Sequence, residues 1–143
     1  IAADFSISRK VHEVMKLNNG GSIIFTGSIF GSISPNYKMY TLLNNQPSIH
    51  TSIDKSSVIQ MVKALAADWG KLNIRVNSIS PGFFPKKRGK DRPDYLLELN
   101  SRIPMDRIGL ADEIVGAYIF LASEASSYLT GQNIIIDGGY SIW

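Results

Sequence analysis

Ser28 and Lys55 are the side chains of this sequence whose placement most suggests joint chemistry. Ser28 follows Gly21-Ser-Ile-Ile-Phe-Thr26-Gly27, a short apolar run that reads as a buried strand. Lys55 stands near the head of the stretch from Ser52 to Gly70. There Val58, Met61, Val62, Leu65 and Trp69 recur at the i, i+3, i+4, i+7 spacing of a packed helix. A strand ending in a hydroxyl and a helix beginning with a cation would meet at the carboxyl edge of a parallel sheet. In open α/β sheets that edge is where ligands bind.

The surrounding elements must put that edge in place. Residues 1–17 suit a helix, with Ile1, Phe5, Val11, Met15 and Leu17 apolar, and Asn18-Asn-Gly-Gly21 ends it with residues that tolerate left-handed backbone. Residues 29–50 read as a long irregular stretch holding Pro35, Asn36, Tyr37, Tyr40, Asn44, Asn45 and Pro47. Asn73 to Ile79 reads as a second strand, closed by Ser80-Pro81-Gly82. Residues 83–109 form a lid-like region with a basic cluster (Lys86, Lys87, Arg88, Lys90, Arg92) and a short helix near Tyr95 to Asn100. Ala111 to Ser123 is a further helix, with Asp112 and Glu113 favourable at its N-terminal dipole, and Gln132 to Ile136 is a third strand before the turn Asp137-Gly-Gly139. Strands alternating with helices imply an α/β fold with a parallel sheet. Three such strands leave both sheet edges in need of partners.

Composition narrows the classes of function. The chain has 143 residues, 44% of them hydrophobic, enough for one modest domain. Cysteine is absent, which excludes disulfides, thiolate metal sites and cysteine nucleophiles, and no metal site is expected. The apolar run from Ile114 to Ala122 is far short of the roughly 20 residues that span a bilayer, so no membrane association is expected. A net charge of +3 without a recognition motif argues against nucleic acid. The basic cluster reads as a solvated face of the lid, with phosphate binding second. Trp69 and Trp143 read as packing residues. The chain opens on Ile in apparent helix, so it is expected to be the carboxyl-terminal part of something longer.

Four motifs in order now carry a resemblance. They are Gly20-Gly-Ser-Ile-Ile-Phe-Thr-Gly-Ser28, Lys55 on a helix ending Ala-Ala-Asp-Trp-Gly70, Asn73-Ile-Arg-Val-Asn-Ser-Ile-Ser-Pro-Gly82, and Leu129-Thr-Gly-Gln-Asn-Ile-Ile-Ile-Asp-Gly-Gly139. Together they resemble the second half of a short-chain dehydrogenase/reductase, across nearly the whole chain. The resemblance implies the carboxyl-terminal half of a Rossmann-like doubly wound parallel sheet, residues 1–143, with residues 83–109 as the substrate lid. The glycine-rich nucleotide fingerprint is absent, and Gly27 and Gly31 do not supply it.

By that resemblance Ser28 holds the substrate oxygen, and Lys55 binds the cofactor ribose and favours a phenolate on a partner tyrosine. Thr26 lines the nicotinamide, while Pro81, Gly82 and the Phe84 amide contact the carboxamide. The family tyrosine falls four residues before the lysine, one helical turn away. Here that position is Thr51, whose aliphatic hydroxyl is far too weak an acid for the role. His50 and Tyr40 are possible replacement acids. Ser28 and Thr51 are 51 − 28 = 23 positions apart, a long spacing similar to a subgroup that modifies flagellin and surface polysaccharide.

The expectation is an NAD- or NADP-dependent oxidoreductase on a sugar or nucleotide-sugar alcohol or ketone in surface glycan biosynthesis. By the same resemblance it is a cytoplasmic homo-oligomer, dimer or tetramer, that takes a small-molecule substrate. The alternative is a catalytically silent relative, marked by Thr51, that binds nucleotide or assembles with an active homologue. The acidic or basic residue that selects NAD or NADP would lie outside these residues.

Overall fold

A computed structural model describes residues 1–41, 48–84 and 93–143. Helix α1 (Ala2–Leu17) leads into strand β1 (Gly21–Thr26), which is followed by a 3-10 turn (Ile29–Gly31) and short helix α2 (Tyr37–Thr41). The long helix α3 (Ile49–Trp69) then precedes β2 (Ile74–Pro81), α4 (Pro93–Asn100), α5 (Val115–Ala122) and β3 (Asn133–Ile136). The sheet order is β1-β2-β3, and both pairings are parallel, with Thr26 opposite Ile79 and Pro81 opposite Ile136. The parallel α/β reading therefore holds, and β2 is the central strand. That position explains why Ile74 and Val76 through Ser80 are buried.

Some boundaries differ from the sequence reading, for local reasons. Helix α1 ends as expected, through left-handed Asn19 and Gly20. Within the stretch 29–50 the described residues are more regular than its prolines and asparagines suggest, with a 3-10 turn and α2 before residue 42. Ser48 caps α3, accepting the His50 N–H on its Oγ at 3.3 Å, so the helix begins at Ile49 rather than at Ser52. The helix expected over 111–123 opens as a 3-10 turn (Ala111–Ile114) in which Glu113 accepts the Leu110 N–H at 2.7 Å. Arg107 forks onto the same carboxylate at 2.6 and 2.8 Å. The Arg107 bond and the Leu110 amide together hold the Glu113 carboxyl down to about 2.

Two clusters make the core. Val62, Leu65, Ala66 and Trp69 of α3 pack on Ile74 and Val76 of β2. Around Ile29, Met39, Leu99, Ile103 and Tyr140 a second cluster forms, with Phe30, Tyr40 and Phe83 against it. Part of the region read as a lid, residues 93–109, thus reaches the core through Leu99 and Ile103. The basic cluster at 86–92 lies outside the described residues. Trp69 packs as expected, its ring stacked on His12 at 4.4 Å. Trp143 does not. It is 76% exposed, with its indole N–H donating to the Arg102 carbonyl at 2.9 Å.

The sheet interior also holds a polar knot. Ser78 and Ser80 are fully buried on β2, and both hydroxyls donate to the Asn133 side-chain oxygen on β3, at 2.9 and 2.7 Å. Asn133→Leu would leave both hydroxyls without that acceptor, and each orphaned buried group costs about 1–3 kcal/mol. Urea unfolding of this variant is therefore expected to show a loss of at least ~1 kcal/mol at unchanged slope. An unchanged midpoint would mean that the knot contributes nothing to stability.

Candidate active site

The site grows from the carboxyl end of β1. The ladder runs one residue past the strand, because Gly27 donates its N–H to the Ile79 carbonyl at 2.7 Å. Only a glycine fits there, since a Cβ at position 27 would lie 2.5 Å from Ser80 Oγ. Ser28 continues extended (φ −166°, ψ 154°) and starts the 3-10 turn, its Oγ accepting the Phe30 N–H at 3.2 Å. With that lone pair engaged, its O–H is left to donate to a ligand oxygen. Residues two apart on an extended chain share a face, so Thr26 and Ser28 present their hydroxyls on the same side.

Lys55 arrives from α3. Its ammonium donates to the Thr26 carbonyl at 2.9 Å, which places a cation at the strand end two residues before Ser28. The approach is close because Gly31 of the 3-10 turn sits on the α3 backbone. A Cβ there would lie 2.7 Å from both the carbonyl carbon and oxygen of Lys55. Both glycines after β1 are thus taken up by close packing against β2 and α3.

Thr51 lies one turn before Lys55 on α3 and is exposed. The two possible substitutes for its missing phenol lie in different surroundings. His50 is exposed in the first turn, with its backbone N–H in the Ser48 cap. Tyr40 packs into the second cluster, where burial, with Tyr95 and Tyr140 alongside, pushes its phenol up. That direction opposes easy proton release.

Pro81 and Gly82 close β2 beside this edge, with the Gly82 N–H donating to the Ile136 carbonyl at 2.8 Å. The Gly82 backbone presses on Asp137, whose carboxylate in turn accepts the Gly139 and Ser141 amides, each at 2.8 Å. Phe84 packs over Gly109 and lines a cavity of about 230 Å³ with Phe83, Met105 and Asp137. Among the described residues no group of three or more His, Asp or Glu side chains could hold a metal ion.

One neighbour of this edge has no signal in the sequence. Tyr118 of α5 brings its phenol to 2.8 Å from Thr26 Oγ1, across 92 positions of chain. No motif flags it, because only the packing of α5 over β1 makes the pair neighbours.

The family profile described as enoyl-(acyl carrier protein) reductase matches residues 3–141. With this fold and edge, the chain belongs to the short-chain dehydrogenase/reductase family. A D-arabinitol 2-dehydrogenase (ribulose-forming) of Candida albicans strain WO-1 is 41% identical over 132 residues, 88% of this chain and 44% of that protein. A crystal structure of a short-chain type dehydrogenase/reductase from Mycobacterium marinum superposes with TM-score 0.82 at 36% identity, over 96% of this chain and 51% of that one. Gluconate 5-dehydrogenase of Burkholderia cenocepacia, in complex with NADP and tartrate, gives TM-score 0.85 at 28% identity, over 97% and 52%. The chain spans about half the length of the relatives it matches.

Proposed function

We propose that this chain forms the catalytic edge of an NAD- or NADP-dependent oxidoreductase that interconverts a sugar alcohol and its ketose. The observation that carries the reading is the delivery of the Lys55 ammonium to the Thr26 carbonyl, beside the Ser28 hydroxyl at the carboxyl edge of a parallel sheet. The edge suits the nicotinamide end of the cofactor. Lys55 can donate to ribose hydroxyls, and the turn from Pro81 to Phe84 offers backbone to the carboxamide. The cofactor, when bound, supplies hydride transfer. The chain's own residues bind and orient the substrate oxygen through Ser28, hold a cation nearby, and move a proton.

A polyol substrate is favoured by the arabinitol and gluconate enzymes above, each named for a polyhydroxylated substrate. Surface-glycan precursors, suggested by the long spacing between Ser28 and Thr51, come second. Placement in the cytoplasm and assembly as a homo-oligomer belong to the same proposal. Among the described residues no helix is long and apolar enough to cross a membrane. Thr51 favours a second reading, a silent subunit that binds nucleotide without turnover.

The test is D-arabinitol oxidation with NAD and with NADP, followed at 340 nm in the full-length protein. Lys55→Met is expected to lower kcat/KM by about 100-fold or more and to raise the KM for cofactor, the scale of a lost charge-assisted contact plus lost support of acid–base chemistry. Cofactor binding without turnover of any polyol or ketose would favour the silent subunit.

A further inference from the structure

We propose that Tyr118 supplies the phenol that Thr51 cannot, exchanging the substrate proton through the Thr26 hydroxyl; this rests on the dehydrogenase reading above. Thr26 is held from two layers. Its carbonyl takes the Lys55 ammonium from α3 at 2.9 Å, and its hydroxyl meets the Tyr118 phenol from α5 at 2.8 Å. The Thr26 hydroxyl lies on the same side of the extended chain as that of Ser28, two residues on, so the relay asks one ligand oxygen to meet both at the carboxyl end of β1.

In ketose reduction a bound nicotinamide would supply the hydride to the carbonyl carbon. The carbonyl oxygen, held by Ser28, takes a proton from Thr26 Oγ1, which takes one from the Tyr118 O–H. The phenolate left behind recovers its proton from solvent, and the reverse sequence serves polyol oxidation. A threonine hydroxyl both donates and accepts, as a relay requires. The other tyrosine considered, Tyr40, sits in the core with its phenol pushed up by burial.

The simpler role for Tyr118 is a clamp that holds α5 on β1, and the two roles separate experimentally. In the full-length protein, Tyr118→Phe keeps the ring and removes the hydroxyl. The relay predicts a kcat loss of about 100-fold or more with nearly constant KM and a changed pH profile. Thr26→Val should match that loss, and Thr26→Ser should restore most of it. A second readout needs no turnover: nitration of Tyr118 by tetranitromethane, mapped by peptide mass, should be suppressed by D-arabinitol together with NADH or NADPH.

Wild-type kcat and pH profile in Tyr118→Phe, with only a lower Tm, would establish the clamp and overturn the relay. If the wild type turns over nothing, the dehydrogenase reading fails by itself. Protection from nitration would then still place Tyr118 at the ligand, and unprotected nitration would remove it from the site.

Discussion

Thr51→Tyr, introduced into full-length protein that already carries Tyr118→Phe, is expected to recover about 100-fold or more of the lost turnover. The new phenol would stand one helical turn before Lys55, on the same face of α3. A cation so close favours the phenolate form, and a positioned acid–base group is worth ~10²–10⁴ in rate. Thr51 is exposed, so the larger ring meets no buried wall on its own helix. Steady-state rates of the single and double variants on D-arabinitol check the expectation. Recovery would show that the edge accepts a phenol from either helix. A gain from Thr51→Tyr alone, in a wild type without turnover, would instead mark a site that lost its acid and found no replacement.

Gly31→Val should have the second largest effect, on both stability and activity. The added side chain begins 2.7 Å from the Lys55 carbonyl and 2.9 Å from Ile59 Cδ1. Ile59 can rotate, but the α3 backbone cannot yield without moving Lys55. Overpacking of this kind costs ~1–3 kcal/mol. The 3-10 turn must lift, and Ser28 lifts with it because its Oγ caps that turn. Urea unfolding should therefore show a loss in that range, with kcat/KM falling further than the stability loss explains. A variant within ~0.5 kcal/mol of wild type and fully active would show that the turn and α3 are not pressed together.

Much of this arrangement was legible before any coordinates. Helix α3 and the strands flanking it follow from apolar periodicity, and the parallel sheet follows from the alternation of helix and strand. Ser28 stood out because it follows the end of a strand, whereas Lys55 lies nearly two turns inside α3 (Ile49–Trp69) and stood out through the motifs around it. What was not legible depends on side chains meeting across the fold. Tyr118 looks like one more apolar residue of α5, and its phenol acquires a partner only through the position of β1. Trp143 looked like a packing residue by type, but it is largely exposed. The stretch after Ser28 looked irregular because prolines and asparagines interrupt it. Yet Ile29 and Met39 are almost fully buried and draw it into the second cluster.

The two-sided hold on Thr26 means that the proposed reactive edge is positioned by packed layers, α3 on one side and α5 on the other. A disturbance of α5 far in sequence from Ser28, or of the surface α5 rests on, transmits directly to the residue that carries the Lys55 bond. Engineers seeking to alter this edge therefore have a remote handle, the seating of α5, that touches neither ligand nor lid.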